Sequence, residues 1–584
     1  MMKSLMSGNE AAARGAFEAG VKVCSAYPGT PSTEVFENLP QYGDDLYCEW
    51  APNEKVAAEV AYGASIAGAR SLCAMKHVGV NVAADPLFTA AYNGAGAGFV
   101  IITADDPSMH SSQNEQDNRL YSKFAKIPMI EPSNSQECKD FMIEAFKISE
   151  MFEVPVFFRM TTRVCHSKSL VEEGKRTEAK VVEYRRNVPK FVSTPANARL
   201  HHVDLEKKLS QIEEYSNQSS LNSEEMNGSE LGIVTSSISY EYAKEVFEDK
   251  ASYLKISICN PLPMAKIKDF AGKVKRLIVI EELEPFMEDQ MKAAGIKCEG
   301  KNMTGKLFEL NPELIRERIL GQKAEFIVSN VKPVGRPPAL CPGCPHRGFF
   351  YTLSRKSDYV ICGDIGCYTL GCAPPLGAMD SCVCMGGGFS VAHGMSKAFQ
   401  MNRESGRKVF GVMGDSTFFH SGMTGAVEIL YNKGAVIPCV LDNRITGMTG
   451  HQDNPGSGYD LMGREALMID IEKVLVAFGY ENVITVDPQD LKAMQKAVDD
   501  ALGSDVPAAI ICKRPCLLIK RMKHDISCCA VDSNKCRGCR SCLKIGCPAI
   551  AVRFKKAFID PTLCTGCTVC AQVCPFDAIS KEAR

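Results

Sequence analysis

Twenty of the 27 cysteines fall after residue 340, and the last of them stand in two runs whose spacing carries chemistry. Cys536, Cys539 and Cys542 are each two residues apart and are followed by Cys547-Pro548; Cys564, Cys567 and Cys570 repeat the spacing before Cys574-Pro575. Three thiolates so spaced hold one face of a four-iron cube, while the cysteine before proline reaches across to the other cube. The reading therefore crosses the runs, with Cys536, Cys539, Cys542 and Cys574 on one [4Fe-4S] cluster and Cys547, Cys564, Cys567 and Cys570 on the other. Structural zinc, the plainer use of clustered cysteines, asks for pairs separated by longer loops. One irregularity stands out: four residues, Leu543 to Gly546, part Cys542 from Cys547 where three are usual.

A second pattern offers oxygen instead of sulfur. Gly414-Asp415-Ser416 closes one strand-like run, and Asn443 closes the next, 28 residues after Asp415. Magnesium takes near-octahedral oxygen coordination. The Asp415 carboxylate, the Asn443 amide oxygen, the Ile445 carbonyl, two diphosphate oxygens and a water would complete it, with the diphosphate lying on backbone N–H groups of the turn after Gly414. Gly-Asp-Ser alone is common, and the alternative is two ordinary turns; placed at strand ends, it resembles the thiamine-diphosphate motif. That cofactor needs a carboxylate against its aminopyrimidine ring, to promote the tautomer that removes the C2 proton. Glu54, in CEWAPNEKVAAEVAYGASIAGAR, is the candidate, with Glu49 and Glu59 as rivals; a glutamate on such a helix is otherwise a solvated residue.

The elements that must hold these residues alternate. A helical pattern from Asn9 to Ala19 leads into the strand-like VKVCSAYPG, a polar turn from Gly29 to Glu34, an Ala-rich helix over Val56 to Ala69, and β-branched runs at Gly98 to Thr103 and Val154 to Phe158. This is the pattern of a parallel sheet covered on both faces. The expected domains are residues 1–165, a polar connection 166–230, a smaller α/β domain 231–330 and, after the Pro-rich VKPVGRPPAL, a second doubly wound domain 331–525. The tail, 526–584, has short apolar runs and no long helix, so metal is expected to stabilise it in place of a core. The 67 basic and 69 acidic side chains leave a net charge of -2, which excludes a purely electrostatic binder of nucleic acid or anionic membranes. With no apolar leader and no run of about 18 apolar residues, a soluble cytoplasmic protein with reduced thiols is expected.

The turn Tyr27-Pro28-Gly29-Thr30-Pro31-Ser32, the Gly-Ala-Ser helix, the CPGCPH at Cys341 to His346, the Gly-Asp-Ser…Asn pattern and the cysteine-rich tail together resemble the thiamine-diphosphate-dependent 2-oxoacid:ferredoxin oxidoreductases over almost the whole chain. KHVGVNVAADPLFTAAY and ADDPSMHSSQNEQDNR are similar to the large subunit of the branch of that family acting on indolepyruvate. The resemblance implies an α/β multidomain fold: two thiamine-diphosphate-binding domains, a transketolase C-terminal-like domain between them, and a two-cluster ferredoxin-like α+β tail. It implies oxidative decarboxylation of arylpyruvates such as indolepyruvate and phenylpyruvate, coenzyme A taking the acyl group and electrons passing through the clusters to an external ferredoxin. It also implies a small beta subunit and an (alpha-beta)2 heterotetramer. Thr30 would bind the substrate carboxylate and His77 would act beside it. Relatives carry an arginine where this chain has Asp105-Asp106-Pro107, so the cation is expected among Lys76, His77, His110 and Arg119. Cys341, Cys344, Cys367 and Cys516 match positions where some relatives hold a third cluster, with Cys362, Cys372 and Cys512 as other choices for its last ligand. Two readings compete: a thiamine-dependent decarboxylase releasing aldehyde, and a non-catalytic electron-transfer subunit.

Overall fold

The structure is a computed structural model describing residues 3–179, 182–323, 330–331, 333–335, 337–403, 406–522 and 527–582. Residues 332 and 336 of the expected Pro-rich linker lie outside the described residues. The chain divides into two units, Met1–Asn330 and Val331–Arg584.

In the first unit, seven strands lie side by side in the order Ile258–Asn260, Met129–Ile130, Val156–Thr161, Phe99–Asp105, Ser71–Lys76, Val23–Ala26 and Tyr47–Trp50. All are parallel except the first, which runs against Met129–Ile130. The central runs FVIITAD and VFFRMT are buried at every position, as strands covered by helices on both faces must be. The helix Gly8–Glu18 starts on Ser7, whose hydroxyl accepts from the Glu10 N–H while the Glu10 carboxylate accepts from the Ser7 N–H.

Two features depart from a simple domain-by-domain reading. Lys168–Glu172, past the expected boundary at 165, returns to pair antiparallel with Lys3–Ser7. Ile258–Asn260, from the segment expected to form the smaller domain, completes the large sheet instead. The smaller sheet keeps Arg276–Ile280, Leu231–Thr235, Ser252–Lys255 and Glu224–Glu225. The two sheets share one core, in which Val234, Leu254 and Phe286 pack with Ala57, Leu87 and Phe99. The longest element of the polar connection is the helix Pro195–Gln218.

The second unit holds a six-stranded, all-parallel sheet ordered Ser381–Cys382, Tyr359–Gly363, Lys408–Gly414, Val436–Asp442, Ala508–Lys513, Asn482–Val486. The tail is two antiparallel ribbons, Cys528–Val531 with Ile579–Glu582 and Ile550–Arg553 with Lys556–Ile559. Its apolar residues Cys542, Ile545, Val569 and Ile579 belong to the same buried cluster as Phe349, Phe410 and Leu441. The expectation that metal replaces a core is thus corrected: the tail borrows the core of the domain before it. Among the described residues no helix is long and apolar enough to cross a membrane.

Candidate active site and electron-transfer pockets

In an open parallel sheet, ligands bind beyond the carboxyl ends of the strands, where successive connections leave in opposite directions. In the second unit the connection from Tyr359–Gly363 leads to Ser381–Cys382 on one side and that from Lys408–Gly414 to Val436–Asp442 on the other. Asp364 and Asp415 stand at that crevice.

Asp415 opens a helical run directly from its strand and is 2% exposed; Oδ2 accepts from the Asn454 amide at 3.2 Å. Burial, with Asp442 as a like-charged neighbour, pushes its carboxyl up to about 8. Such a carboxylate favours any cation that can reach it. Asn443, next to Asp442 in sequence, is also buried; its Oδ1 accepts from the Ile445 N–H at 3.2 Å and its Nδ2 meets His346 Nε2 at 3.3 Å. Burial pulls His346 down to about 4, so a neutral ring accepts from the amide and fixes which way Asn443 turns. Ser416 accepts from Thr446 Oγ1 at 2.9 Å, and Tyr368 Oη lies 2.8 Å from Thr417 Oγ1, tying three strand ends together. An all-oxygen set of Asp415, Asn443 and neighbouring carbonyls suits magnesium and a diphosphate.

Asp364, His346 and Asn454 escaped the sequence reading. Asp364 accepts from the N–H groups of Ile365, Gly386 and Gly388 at 2.7, 2.9 and 2.8 Å, fastening the loop that begins the helix Gly388–Met401. Burial pushes it up to about 6. Its signal, Gly-Asp at a strand end, was visible in GDIGC.

In the first unit the crevice falls between Val23–Ala26, whose following loop carries Thr30, and Ser71–Lys76, followed directly by the helix that His77 begins. Glu54 begins the helix Glu54–Ile66 after the neighbouring strand, capped by Asn53 accepting from the Val56 N–H, and is 6% exposed. Gly79 of the helix His77–Asn93 lies so close that a Cβ there would stand 2.7 Å from Glu54 Cγ and Oε1. Of the rivals, Glu59 is exposed and pairs with Lys55, while Glu49 accepts from Ser25 and Tyr47 hydroxyls at 2.9 and 2.8 Å.

The cations sort by their partners. Arg119 is fully enclosed and donates to Asp117, Glu281 and the carbonyls of Glu282 and Glu284, so it is removed from the candidates for a substrate carboxylate. Asp105 likewise turns inward to Arg159 at 2.6 Å. His110 pairs with Glu309 at 3.2 Å. His77 is buried, with Nε2 on the Asn114 carbonyl at 3.2 Å and Nδ1 without a partner among the described residues; burial lowers its pKa. Lys76 donates to the Ser111 carbonyl at 2.5 Å, and burial pulls its ammonium down to about 8. Thr30 is half-buried in the facing loop.

All 27 cysteines are free thiols. Cys536, Cys539, Cys542 and Cys574 line one pocket of the tail; Cys547, Cys564, Cys567 and Cys570 line another, joined there by Cys529, which the sequence reading missed. Among the described residues no three His, Cys, Asp or Glu side chains converge as a single ion requires. Thiols ringing a void suit a cluster better than one zinc. Backbone N–H groups of Ala557, Cys529 and Ala578 already point at Cys536, Cys564 and Cys574 sulfurs, at 3.4, 3.2 and 3.4 Å.

The four-residue stretch between Cys542 and Cys547 is also held in place. Ser541–Ile545 makes a helical turn ended by Gly546, and the buried Arg347 donates to the Ile545 and Gly546 carbonyls at 2.9 and 2.5 Å. The same guanidinium donates to the carbonyls of Leu340 and Cys341 at 2.6 and 2.9 Å. Arg347 thus ties the tail to the CPGC turn through two carbonyls of that four-residue stretch. There Cys341 neighbours Cys344, Cys367 and Cys516; burial foremost pushes Cys344 up to about 12 and Cys367 to about 11, with these thiols adding to it. Cys362 and Cys512 instead contact Met395 and Met494.

Fold and site together define a thiamine-diphosphate oxidoreductase that hands electrons to an iron-sulfur acceptor. Residues 14–227 match the pyruvate flavodoxin/ferredoxin oxidoreductase thiamine-diphosphate-binding family, 364–512 the C-terminal domain of thiamine pyrophosphate enzymes, and 557–580 the 4Fe-4S binding domain. The chain belongs to the family of indolepyruvate oxidoreductase subunit IorA. It is 41% identical to that subunit of Archaeoglobus fulgidus, over 100% of this chain and 98% of the relative. It is 40% identical to that of Methanothermobacter thermautotrophicus over the same shares, and 38% to that of Pyrococcus abyssi over 99% and 96%.

Proposed function

We propose that the protein is the large subunit of an indolepyruvate-type enzyme that decarboxylates arylpyruvates oxidatively. The 2-oxoacid and the thiol of coenzyme A become the acyl thioester and carbon dioxide, with one proton and two electrons released, and the electrons leave singly to external ferredoxin. Bound thiamine diphosphate supplies the carbanion that adds to the ketone and delocalises the charge left by carbon dioxide.

Each residue then has a task. Asp415, Asn443 and the Ile445 carbonyl hold magnesium, and the backbone after Gly414 with Ser416 receives the diphosphate. Glu54, kept dry by its burial against Gly79, holds the proton of the aminopyrimidine. Lys76 meets the substrate carboxylate with Thr30, being protonated at neutral pH and pointing at a carbonyl rather than a carboxylate; His77 stays neutral and packs at its side. In the tail, Cys536, Cys539, Cys542 and Cys574 take one [4Fe-4S] cluster and Cys547, Cys564, Cys567 and Cys570 the second. Cys341, Cys344, Cys367 and Cys516 would be the ligands of a third. A small beta subunit, an (alpha-beta)2 assembly and a cytoplasm that keeps thiols reduced complete the reading.

The observation that carries it is the attachment of the cysteine pockets to the crevice: Pro342 and Gly343, four and three residues before His346, line the second tail pocket while His346 contacts Asn443. The test is an anaerobic assay with the small subunit, coenzyme A and ferredoxin on indolepyruvate, phenylpyruvate, pyruvate and 2-oxoglutarate. The aryl substrates are expected to lead; pyruvate turning over faster than both would overturn the assignment.

A further inference from the structure

The two tail pockets face different neighbours. The second is lined by Pro342, Gly343 and Arg347 as well as by its thiols. The first is lined only by residues of the tail, between Val531 and Ile579, and four of these are Arg537, Arg540, Lys555 and Lys556, with no acidic residue. Cys539 there is exposed, and Lys544 is among the charges acting on it. If the second pocket receives electrons from the side of the crevice, the first is the one that meets the outside.

Its surroundings are unusual in charge. Residues 527–582 carry eight basic side chains against four acidic ones, although the whole chain has a net charge of -2. Lys535, Arg537, Arg540, Lys544, Arg553 and Lys555 are all exposed. Among the described residues Arg537, Arg540, Lys544 and Lys555 form no ion pair, so their field is directed outward.

At the tip of the ribbon Ile550–Arg553/Lys556–Ile559 stands Phe554, 100% exposed, with φ of 47° and Lys555 following at 63°. Left-handed backbone at two successive turn residues favours Asn or Gly, so a bulky aromatic there is held against local preference. Phe576, which also lines the first pocket, is 43% exposed. Aromatic residues and arginine are what the centres of protein interfaces accumulate.

We infer that this face, with Phe554 as its apolar anchor and Arg537, Arg540, Lys544 and Lys555 around it, docks an acidic electron-carrier protein, and that the cluster of Cys536, Cys539, Cys542 and Cys574 is the one from which electrons leave. The inference rests on the cluster assignment above, and adds to it a direction, a surface and the charge of the partner. Opposite charges steer the encounter and hold the register, while the anchor slows departure. The proximity of the exposed Cys539 to this surface gives the short transfer distance that a weak, transient complex needs.

Direct binding tests it apart from turnover. Oxidised acidic two-cluster ferredoxin is titrated into the holoprotein with its small subunit, at low and high salt, for the wild type, Lys544→Glu and Phe554→Ser. The charge reversal is expected to weaken binding about tenfold in about 10 mM salt, where screening reaches about 30 Å, and to lose that difference near 1 M, where it falls to about 3 Å. Phe554→Ser is expected to weaken binding at both salt concentrations. Reduction of methyl viologen, a small cation, should proceed at the wild-type rate in both variants with unchanged iron content. Unchanged ferredoxin affinity in both variants at low salt overturns the inference, as does failure of Lys544→Glu to retain the small subunit, which would make this face a subunit interface. Should Lys544→Glu lose iron, Lys544→Gln and Phe554→Ser decide by the same readings. A wild type that binds ferredoxin by this face but reduces neither acceptor leaves the docking intact and refutes the proposed reaction instead.

Discussion

Gly79→Ala should separate the work of Glu54 from the stability of the fold. The added Cβ would lie 2.7 Å from Glu54 Cγ and Oε1. Regaining an ordinary contact at 3.4 Å requires the carboxylate to recede by about 0.7 Å. Overpacking of this kind costs about 1–3 kcal/mol, and replacing glycine by alanine in a helix returns up to about 1 kcal/mol. The net loss of about 0–2 kcal/mol leaves a folded protein. A catalytic group misplaced by nearly 1 Å, however, costs up to about 100-fold in rate. The expected signature is thus nearly wild-type thermal unfolding with turnover down about 10- to 100-fold. Exchange of the thiamine C2 proton in D2O, followed by NMR, should slow in parallel, while cofactor content stays full. Glu54→Gln should show the same pattern more strongly. Wild-type turnover in a folded Gly79→Ala protein would refute the placement of the proton relay at Glu54 and return the role to Glu49 or Glu59.

Four further outcomes are expected. Asp415→Ala and Asn443→Ala should each lose thiamine diphosphate on desalting even with magnesium added, because one oxygen ligand and, for Asp415, its charge are removed; retention by either variant counts against the site. His346→Ala should raise the magnesium needed for half-saturation about tenfold, since outer partners orient a ligand without touching the ion; an unchanged requirement would make His346 a packing residue only. Cys564→Ala should keep about eight irons in the tail if Cys529 takes the vacated position, and only Cys529→Ala/Cys564→Ala should lose about four; loss already in the single variant would leave Cys529 no ligating role. Anaerobically purified wild type should hold about twelve irons if Cys341, Cys344, Cys367 and Cys516 carry a third cluster, with Cys344→Ala losing about four; about eight in the wild type excludes it.

How far the sequence reached depended on how local each signal was. Asp415 and Asn443 stood out because each follows directly on a buried strand-like run, whereas Glu54 stood out only through its match to the acidic position of the family it resembles, with Glu49 and Glu59 as rivals. The spacing of the tail thiols sorted them into the two sets that line separate pockets. What stayed hidden were partners delivered by distant chain. His346 reaches Asn443 from 97 residues away, Asn454 reaches Asp415 from 39, and Arg347 clasps Ile545 from 198. The strand Ile258–Asn260 is too short for any periodicity, and its place in the large sheet follows from the core that the two sheets of that unit share.

The cation for the substrate carboxylate shows the same limit most clearly. The sequence offers Lys76, His77, His110 and Arg119 as equals, since charge and spacing cannot say which positive group already has an anion. Arg119 looks the strongest on paper, with five donors and a fixed charge. Yet it is enclosed beside Asp117 and Glu281, and taking it to a ligand would leave those carboxylates buried and unpaired, at a cost of about 3–5 kcal/mol. His110 faces Glu309, and burial keeps His77 neutral. Lys76 differs in what opposes it: its ammonium donates to a carbonyl, and Asp106, its nearest counter-charge, already accepts from Ser111, Ser112 and Thr162. A cation held by dipoles gains more from an arriving carboxylate than one already paired, and for that reason Lys76 is the one of the four proposed to meet the substrate.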